Sequence, residues 1–201
     1  MIQASGAILA GGKSRRMGKE KAFLEIGREE MIRRVAAELE KTLAEVLVVG
    51  GDPGIGPRLG LRFLPDLLAG SGPLGGIYAA LKGATYEKCL VTACDMPFVS
   101  SELACYLLGQ AKDWDVTVPR HGPHLQPLFA VYSSNCLGAI EQTLRANRYK
   151  VIDFYPQVRV NYVNEKDLKA LADLDVAFFN VNTPRDLEAA RAMEKSLKSG
   201  E

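Results

Sequence analysis

The sequence predicts an α/β fold, one domain with helices layered on a mostly parallel central sheet, and three observations predict it. Short apolar runs, Ala7-Ile8-Leu9, Val46-Leu47-Val48-Val49 and Cys89-Leu90-Val91, read as buried strands. Between the first two, Arg28 to Thr42 places Ile32, Val35, Ala36 and Leu39 at helical spacing with charges on the opposite face, and strand–helix–strand order means parallel pairing. Turn formers close each run: Gly11-Gly12, then Gly50-Gly51-Asp52-Pro53-Gly54, then Pro97. A chain of 201 residues is the size of one such domain.

The elements follow in order. A third short strand is expected at Leu61-Arg62-Phe63-Leu64, delivering Pro65-Asp66 to the next loop. Ser71-Gly72-Pro73-Leu74-Gly75-Gly76 then opens a helix through Leu81, with proline at a natural first helical position; taken alone, this stretch reads equally as a loop with an N1 proline or as a glycine-rich nucleotide surface. Asp95 falls at the carboxyl end of the central strand, because Pro97 cannot continue a ladder. Open α/β sheets bind ligands at that edge, where a lone Asp serves as a metal ligand or caps the following turn.

Ser100 is the expected N-cap of a helix from Leu103 to Ala111. Asp115 to Pro119 and Gln126 to Tyr132 are β-rich and read as a hairpin or strand pair over one end of the sheet, bracketing His121 and His124. Ser134 to Arg145 should be helical, ending beside Arg148 and Lys150, which are either a solvated helix end or a hold on an anion. Val158 to Val163 alternates like a half-exposed strand, and Glu165 to Leu171 is a short helix. Thr183 as N-cap, Pro184 at N1 and Asp186 at N3 start a final helix to about Lys195, followed by a frayed tail over 196–201.

Bulk properties narrow the function. Lys plus Arg number 25 against 24 Asp plus Glu, a balance of +1, so nothing predicts a nucleic-acid or membrane partner and any phosphate affinity must be local. No leader-like N-terminus or membrane-length apolar run is present, so a cytoplasmic protein is expected. The four cysteines form no Cys-x-x-Cys pair, and with only two histidines neither a zinc site nor a disulfide frame is expected.

The chemistry is concentrated in Leu9-Ala10-Gly11-Gly12-Lys13-Ser14-Arg15-Arg16-Met17-Gly18-Lys19-Glu20-Lys21. Glycines after a strand let backbone amides approach an anion, and the cations here can neutralise a polyphosphate, although a strand-to-helix turn with a solvated basic face has similar composition. A P-loop is excluded, since five residues rather than four separate Gly12 from Gly18 and Lys19 is followed by Glu20. The dinucleotide fingerprint Gly-x-Gly-x-x-Gly is absent as well.

What the loop closely resembles is the signature of the nucleotidyltransferases that join an NTP to a phosphorylated acceptor, matched at Leu9, Ala10, Gly11, Gly12, Ser14, Arg16, Met17, Gly18 and Lys21, with Glu20 where Asp is commoner. Gly72 to Gly76, Cys94-Asp95-Met96-Pro97, His124 to Leu128 and Phe178-x-Asn180-x-Asn182-Thr183-Pro184 match further segments, most closely the MobA-type branch, the molybdenum cofactor guanylyltransferases. That resemblance implies a Rossmann-like three-layer α/β/α fold with a β-rich acceptor-side insertion. Residues 1–100 would form an NTP-binding half and 101–195 an acceptor-binding half.

It also implies roles. Leu9, Ala10, Gly11, Gly12, Ser14, Lys21, Asp66, Gly72, Pro73, Leu74 and Asp95 would bind the nucleotide; Arg16, Lys21 and Asp95 would be catalytic, with Asp95 the Mg²⁺ ligand. His124, Gln126, Arg148, Lys150, Asn180 and Asn182 would face the acceptor. The implied reaction is transfer of GMP from GTP to the phosphate of molybdopterin, with pyrophosphate released. Cytidylyl transfer to the same pterin, and a nucleotide-binding regulatory module without turnover, remain alternatives. One departure stands out: Val49-Gly50-Gly51 lies where the family often has Asn after the second strand, so a nucleotide contact there is made by backbone or absent.

Overall fold

The computed structural model describes residues 1–11, 21–68 and 70–199. Among them an eight-stranded sheet carries the fold. Its strands are β1 (Ile2–Leu9), β4 (Leu43–Val49), β5 (Arg62–Leu64), β6 (Lys88–Ala93), β7 (Val116–His121), β8 (His124–Leu125), β9 (Phe129–Ser133) and β10 (Val160–Val163). Seven run in the order β10-β7-β9-β6-β1-β4-β5, and β8 pairs with β7 alone. A separate hairpin joins β2 (Glu25–Ile26) to β3 (Glu29–Glu30).

β1 is parallel to both β4 and β6, and β4 to β5, as the strand–helix–strand order requires. β9 is antiparallel to β6 and to β7, and β10 returns to parallel pairing with β7.

Side-chain alternation shows why the sheet must be covered twice. Ile8, Val48, Leu90, Phe129 and Val131 point into one core with α1 (Met31–Glu40), α4 (Ser101–Gln110) and the chain near Phe178. Ala7, Leu9, Leu47, Val91, Ala130 and Tyr132 point into a second core with α3 (Gly72–Gly83) and α5 (Leu137–Arg145). Each large side chain so removed from water is worth about 1.5–3 kcal/mol. The result is the expected three layers.

The β-rich segment sits differently from the expectation of a pair laid over one end. β7 and β9 are interior strands of the same sheet: residues 116–119 and 129–133 are buried on both faces, one of which an outlying hairpin would leave wet. Only β8 stands outside the path.

Boundaries moved for local reasons. α1 begins at Met31 rather than Arg28, since Gly27, at φ 66°, turns the chain between β2 and β3 and lets Ile26 be fully buried. α6 (Glu165–Leu168) starts where a short helix was expected and ends sooner, while α2 (Ile55–Leu59) and α7 (Leu174–Ala177) are too brief to show periodicity; α7 is started by Asp173, whose Oδ1 accepts from the Asp175 amide at 3.0 Å. Ser100 caps α4 as expected, its Oγ accepting from the Leu103 amide at 3.2 Å. The last helix, α8 (Pro184–Ser199), extends past Lys195. No helix among the described residues is long and apolar enough to cross a membrane.

α8 is held by a third, smaller core of Ile26, Met31, Val181, Leu187 and Ala190, and by one ion pair. Glu194, only 4% exposed, receives Arg34 Nη1 at 2.5 Å and Lys198 Nζ at 2.6 Å. The Arg34 hydrogen bond, the largest of these influences, holds the Glu194 carboxyl at about 2 against an ordinary 4.5. Arg34 also lies 5.7 Å from the Phe98 ring centroid, so one guanidinium ties α8 to the chain just after Asp95.

The lowered pKa means that the native state prefers the carboxylate: its stabilisation is complete above pH 4.5 and is lost as pH falls towards 2. Glu194→Gln should therefore lower stability at pH 7 by on the order of 2 kcal/mol and flatten its pH dependence below pH 4.5. Urea unfolding of both proteins at pH 7, 4.5 and 3 checks this; parallel pH profiles would remove the ion pair from the account.

Candidate active site

Parallel pairing brings the carboxyl ends of β1, β4, β5 and β6 to one edge, and backbone hydrogen bonds continue past the strands. The Ala10 amide donates to the Val49 carbonyl at 2.9 Å, Gly50 to Leu64 at 2.9 Å, and Cys94 to Leu9 at 3.1 Å. Three of the four loops that leave the sheet here are therefore tied, at their first residue, to the last residue of a neighbouring strand.

Close approach demands glycine at two places. Gly51 has φ 77°, and a Cβ there would lie 2.9 Å from the Ala10 carbonyl oxygen. At Gly76, in the first turn and a half of α3, a Cβ would meet Leu9 Cδ2 at 3.2 Å, so glycine lets the helix settle onto the end of β1. The departure at Val49-Gly50-Gly51 thus has a packing reason: this loop runs backbone against backbone along Ala10-Gly11.

These ends enclose a cleft of about 610 Å³ lined by Leu9, Gly11, Val49, Gly50, Asp66, Gly70, Gly72, Pro73, Gly76, Ala93, Cys94, Asp95, Leu128 and Asn182. That volume lies within the range of small-ligand sites. Asp95 is half-buried, two residues beyond β6, and its carbonyl accepts the Val181 amide at 2.9 Å. This bond brings the C-terminal segment to the cleft. The capping box of α8 then sets it: Asp186 Oδ2 accepts the amides of Asn182 at 2.9 Å and Thr183 at 2.8 Å, while Thr183 Oγ1 accepts the Asp186 amide at 3.2 Å.

A neighbouring groove of about 700 Å³ shares Pro73 and Leu128 with the cleft and is lined besides by Pro123, His124, Leu125, Pro127, Tyr149, Lys150, Val151 and Ile152.

The expected site residues distribute as follows. Leu9, Gly11, Asp66, Gly72, Pro73, Asp95 and Asn182 line the cleft, and His124 and Lys150 line the groove. Asp66 is exposed and its Oδ1 accepts the Leu68 amide at 3.2 Å. Ala10 packs partly into the core. Leu74, on α3, is fully buried and lines neither cavity. Asn180 turns its amide to the Phe178 carbonyl at 2.9 Å. Arg148 donates to the Asp153 carbonyl at 3.3 Å and lies 3.6 Å from its carboxylate, outside both cavities.

Gln126 serves the turn before β9, its amide donating to Pro119 at 2.9 Å. Lys21 opens a 3₁₀ turn, Lys21–Phe23. Gly12, Ser14 and Arg16 lie outside the described residues. Sequence reasoning did not single out Gly70, Leu128, Tyr149, Val151 or Ile152 as site residues. An aromatic beside the flagged Arg148 and Lys150 was the available signal.

Among the described residues that line the cleft there is no serine, threonine, histidine or lysine. Burial pushes the Cys89 and Cys136 thiols up to about 12, which keeps them protonated. The described part of the site can position anions and hold a cation.

Residues 6–160 match the family described as the MobA-like NTP transferase domain. The chain is 64% identical over 200 residues to a probable molybdenum cofactor guanylyltransferase of Pelotomaculum thermopropionicum, covering 100% of this chain and 98% of that one. It is 35% identical to the molybdenum cofactor guanylyltransferase of Desulfosudis oleivorans, covering 98% of each. Its fold matches the crystal structure of molybdopterin-guanine dinucleotide biosynthesis protein A from Archaeoglobus fulgidus with a TM-score of 0.83 at 28% identity, over 96% of this chain and 99% of that one. The 2-C-methyl-D-erythritol 4-phosphate cytidylyltransferase of Thermus thermophilus shares the fold at a TM-score of 0.72 and 23% identity, over 96% and 100%. With the matched segment spanning more than half its length, the chain belongs to the MobA-like NTP transferase family.

Proposed function

We propose that this chain transfers GMP from GTP to the phosphate of molybdopterin, releasing pyrophosphate and forming the guanine dinucleotide cofactor. The observation that carries the reading is the cleft itself, lined by glycine backbone and by the Asp95 carboxylate at the carboxyl edge of a parallel sheet, where α/β folds take nucleotides. The names of its relatives supply the acceptor.

An oxygen of the acceptor phosphate attacks the α-phosphorus of GTP; that P–O bond forms as the bond to the β-phosphate oxygen breaks, and pyrophosphate departs. The acceptor is its own nucleophile, so the chain's work is to align two anions and stabilise the charge that passes to the leaving group. Lys21 and Arg16 are assigned to the triphosphate as cations. Gly11, Gly50, Gly72 and Gly76 leave room for the nucleotide to approach the backbone, and Asn182 is assigned to the acceptor side of Asp95.

Mg²⁺ fits the donor set. No group of three or more His, Cys, Asp and Glu among the described residues could hold a metal alone, but Mg²⁺ is commonly held by one or two carboxylates together with substrate phosphates. A half-buried Asp95 lining the cleft suits an ion that arrives with the triphosphate. Bound there, the ion supplies charge neutralisation at the phosphates.

Asp95→Ala should lower kcat/KM by about 10²–10³-fold with an unchanged circular dichroism spectrum, as expected for loss of a charge-stabilising group. Undiminished turnover would take Asp95 out of the reaction. Lys21→Ala should raise the Kd for GTP and slow transfer, read by equilibrium binding and by pyrophosphate release; wild-type values would mean that the first loop does not hold the triphosphate. Incubation with molybdopterin, Mg²⁺ and each NTP in turn should release pyrophosphate with GTP. Release with CTP and not GTP would reassign the base while keeping the reaction class.

A further inference from the structure

The groove beside the cleft has a one-sided chemistry that the nucleotide does not explain. Two of its residues, Pro73 and Leu128, also line the cleft, so the groove lies directly beside it. Its walls are mostly apolar, and two of them, Tyr149 and Ile152, are large hydrophobic side chains left 44% and 46% exposed. Both line this groove, and exposed apolar side chains gathered in a concave surface suit a contact site.

The chain holds this surface rigidly. α5 ends in a Schellman motif: Asn147, at φ 55°, donates its amide to Leu144 at 3.0 Å, and the Arg148 amide donates to Thr143 at 3.1 Å. The motif turns the backbone so that Tyr149 projects from the helix end, and the Tyr149 hydroxyl donates to Asn147 Oδ1 at 3.0 Å. Immediately afterwards the 3₁₀ helix Val151–Gln157 buries Phe154 and Tyr155, which fixes the backbone under Ile152. An aromatic ring presented this way loses little entropy when a flat ligand covers it. Arg148 stays out of the groove beside Asp153, leaving Lys150 as the lysine or arginine among the groove's lining residues.

We propose that Tyr149, with Ile152 beside it, is the platform on which the planar ring of the acceptor stacks, and that Lys150 supplies the cation that draws an anionic acceptor into the groove. This rests on the reading of the chain as a nucleotidyltransferase with a pterin acceptor. It assigns selection of that acceptor to a surface separate from the residues around the triphosphate. Tyr149 is a specificity-determining residue in this account, and it takes no part in bond making.

The test measures KM for molybdopterin and for GTP separately, with wild type, Tyr149→Ala, Tyr149→Phe and Lys150→Gln. Tyr149→Ala should raise the acceptor KM on the order of tenfold, as loss of one ring–aromatic stack does, with the GTP KM and the melting temperature unchanged. Tyr149→Phe should retain the wild-type acceptor KM, because the ring and not the hydroxyl makes the contact. Lys150→Gln should raise the acceptor KM and weaken its dependence on salt. An unchanged acceptor KM in Tyr149→Ala, or an equal rise in both KM values, would overturn the platform while leaving the guanylyltransferase reading intact. Failure of the wild-type protein to release pyrophosphate with molybdopterin and any NTP would overturn both.

Discussion

The cleft depends on β1 being paired in parallel with β4 on one side and β6 on the other. That arrangement makes Leu9, Val49 and Ala93 neighbours at one sheet edge, and the Ala10–Val49 and Cys94–Leu9 backbone bonds extend the ladder into the loops. The first residue of each of these loops is thereby set in register with the neighbouring strand. A glycine-walled cavity with a carboxylate in its lining follows from strand register before any ligand is present. It also explains why Gly51 is glycine: the ladder draws its backbone to within contact of Ala10.

The second dependence is longer in sequence. Val181 donates to the Asp95 carbonyl, and the α8 capping box fixes the amides of Asn182 and Thr183. Behind them, Arg34 reaches Glu194 on one side and Phe98 on the other. The last helix therefore acts as a clamp on the loop that carries Asp95. Removing the clamp would be felt first as lost alignment at the cleft, because only the small third core backs this segment.

Legibility in the sequence followed the range of the interactions. Buried parallel strands, the cap at Ser100 and the box at Thr183 and Asp186 are local or periodic, and they were read in place. The hairpin around Gly27 was not, since its short strands are set by Ile26 reaching a core shared with α8, more than 150 residues away. The same holds for β9. Its apolar residues signalled a strand, but its place between β6 and β7 is decided by the need to cover both faces.

At the site, the sequence by itself determined the residue types that chemistry needs: glycines that can approach a phosphate, cations in the first loop, an Asp at a strand end and an Asn pair before a helix. The glycines, cations and strand-end Asp follow from local turns; the Asn pair is what the family resemblance implies. Only the tertiary structure decided which of them meet. It brought Asn182 to the cleft and turned Asn180 back on Phe178, put Lys150 in the groove and Arg148 against Asp153, and sank Leu74 into the core while leaving Tyr149 at the surface. The physical reason is that each of these alternatives costs almost nothing locally. They are separated only by packing and hydrogen bonds to segments far away in the chain, which no short window of sequence contains.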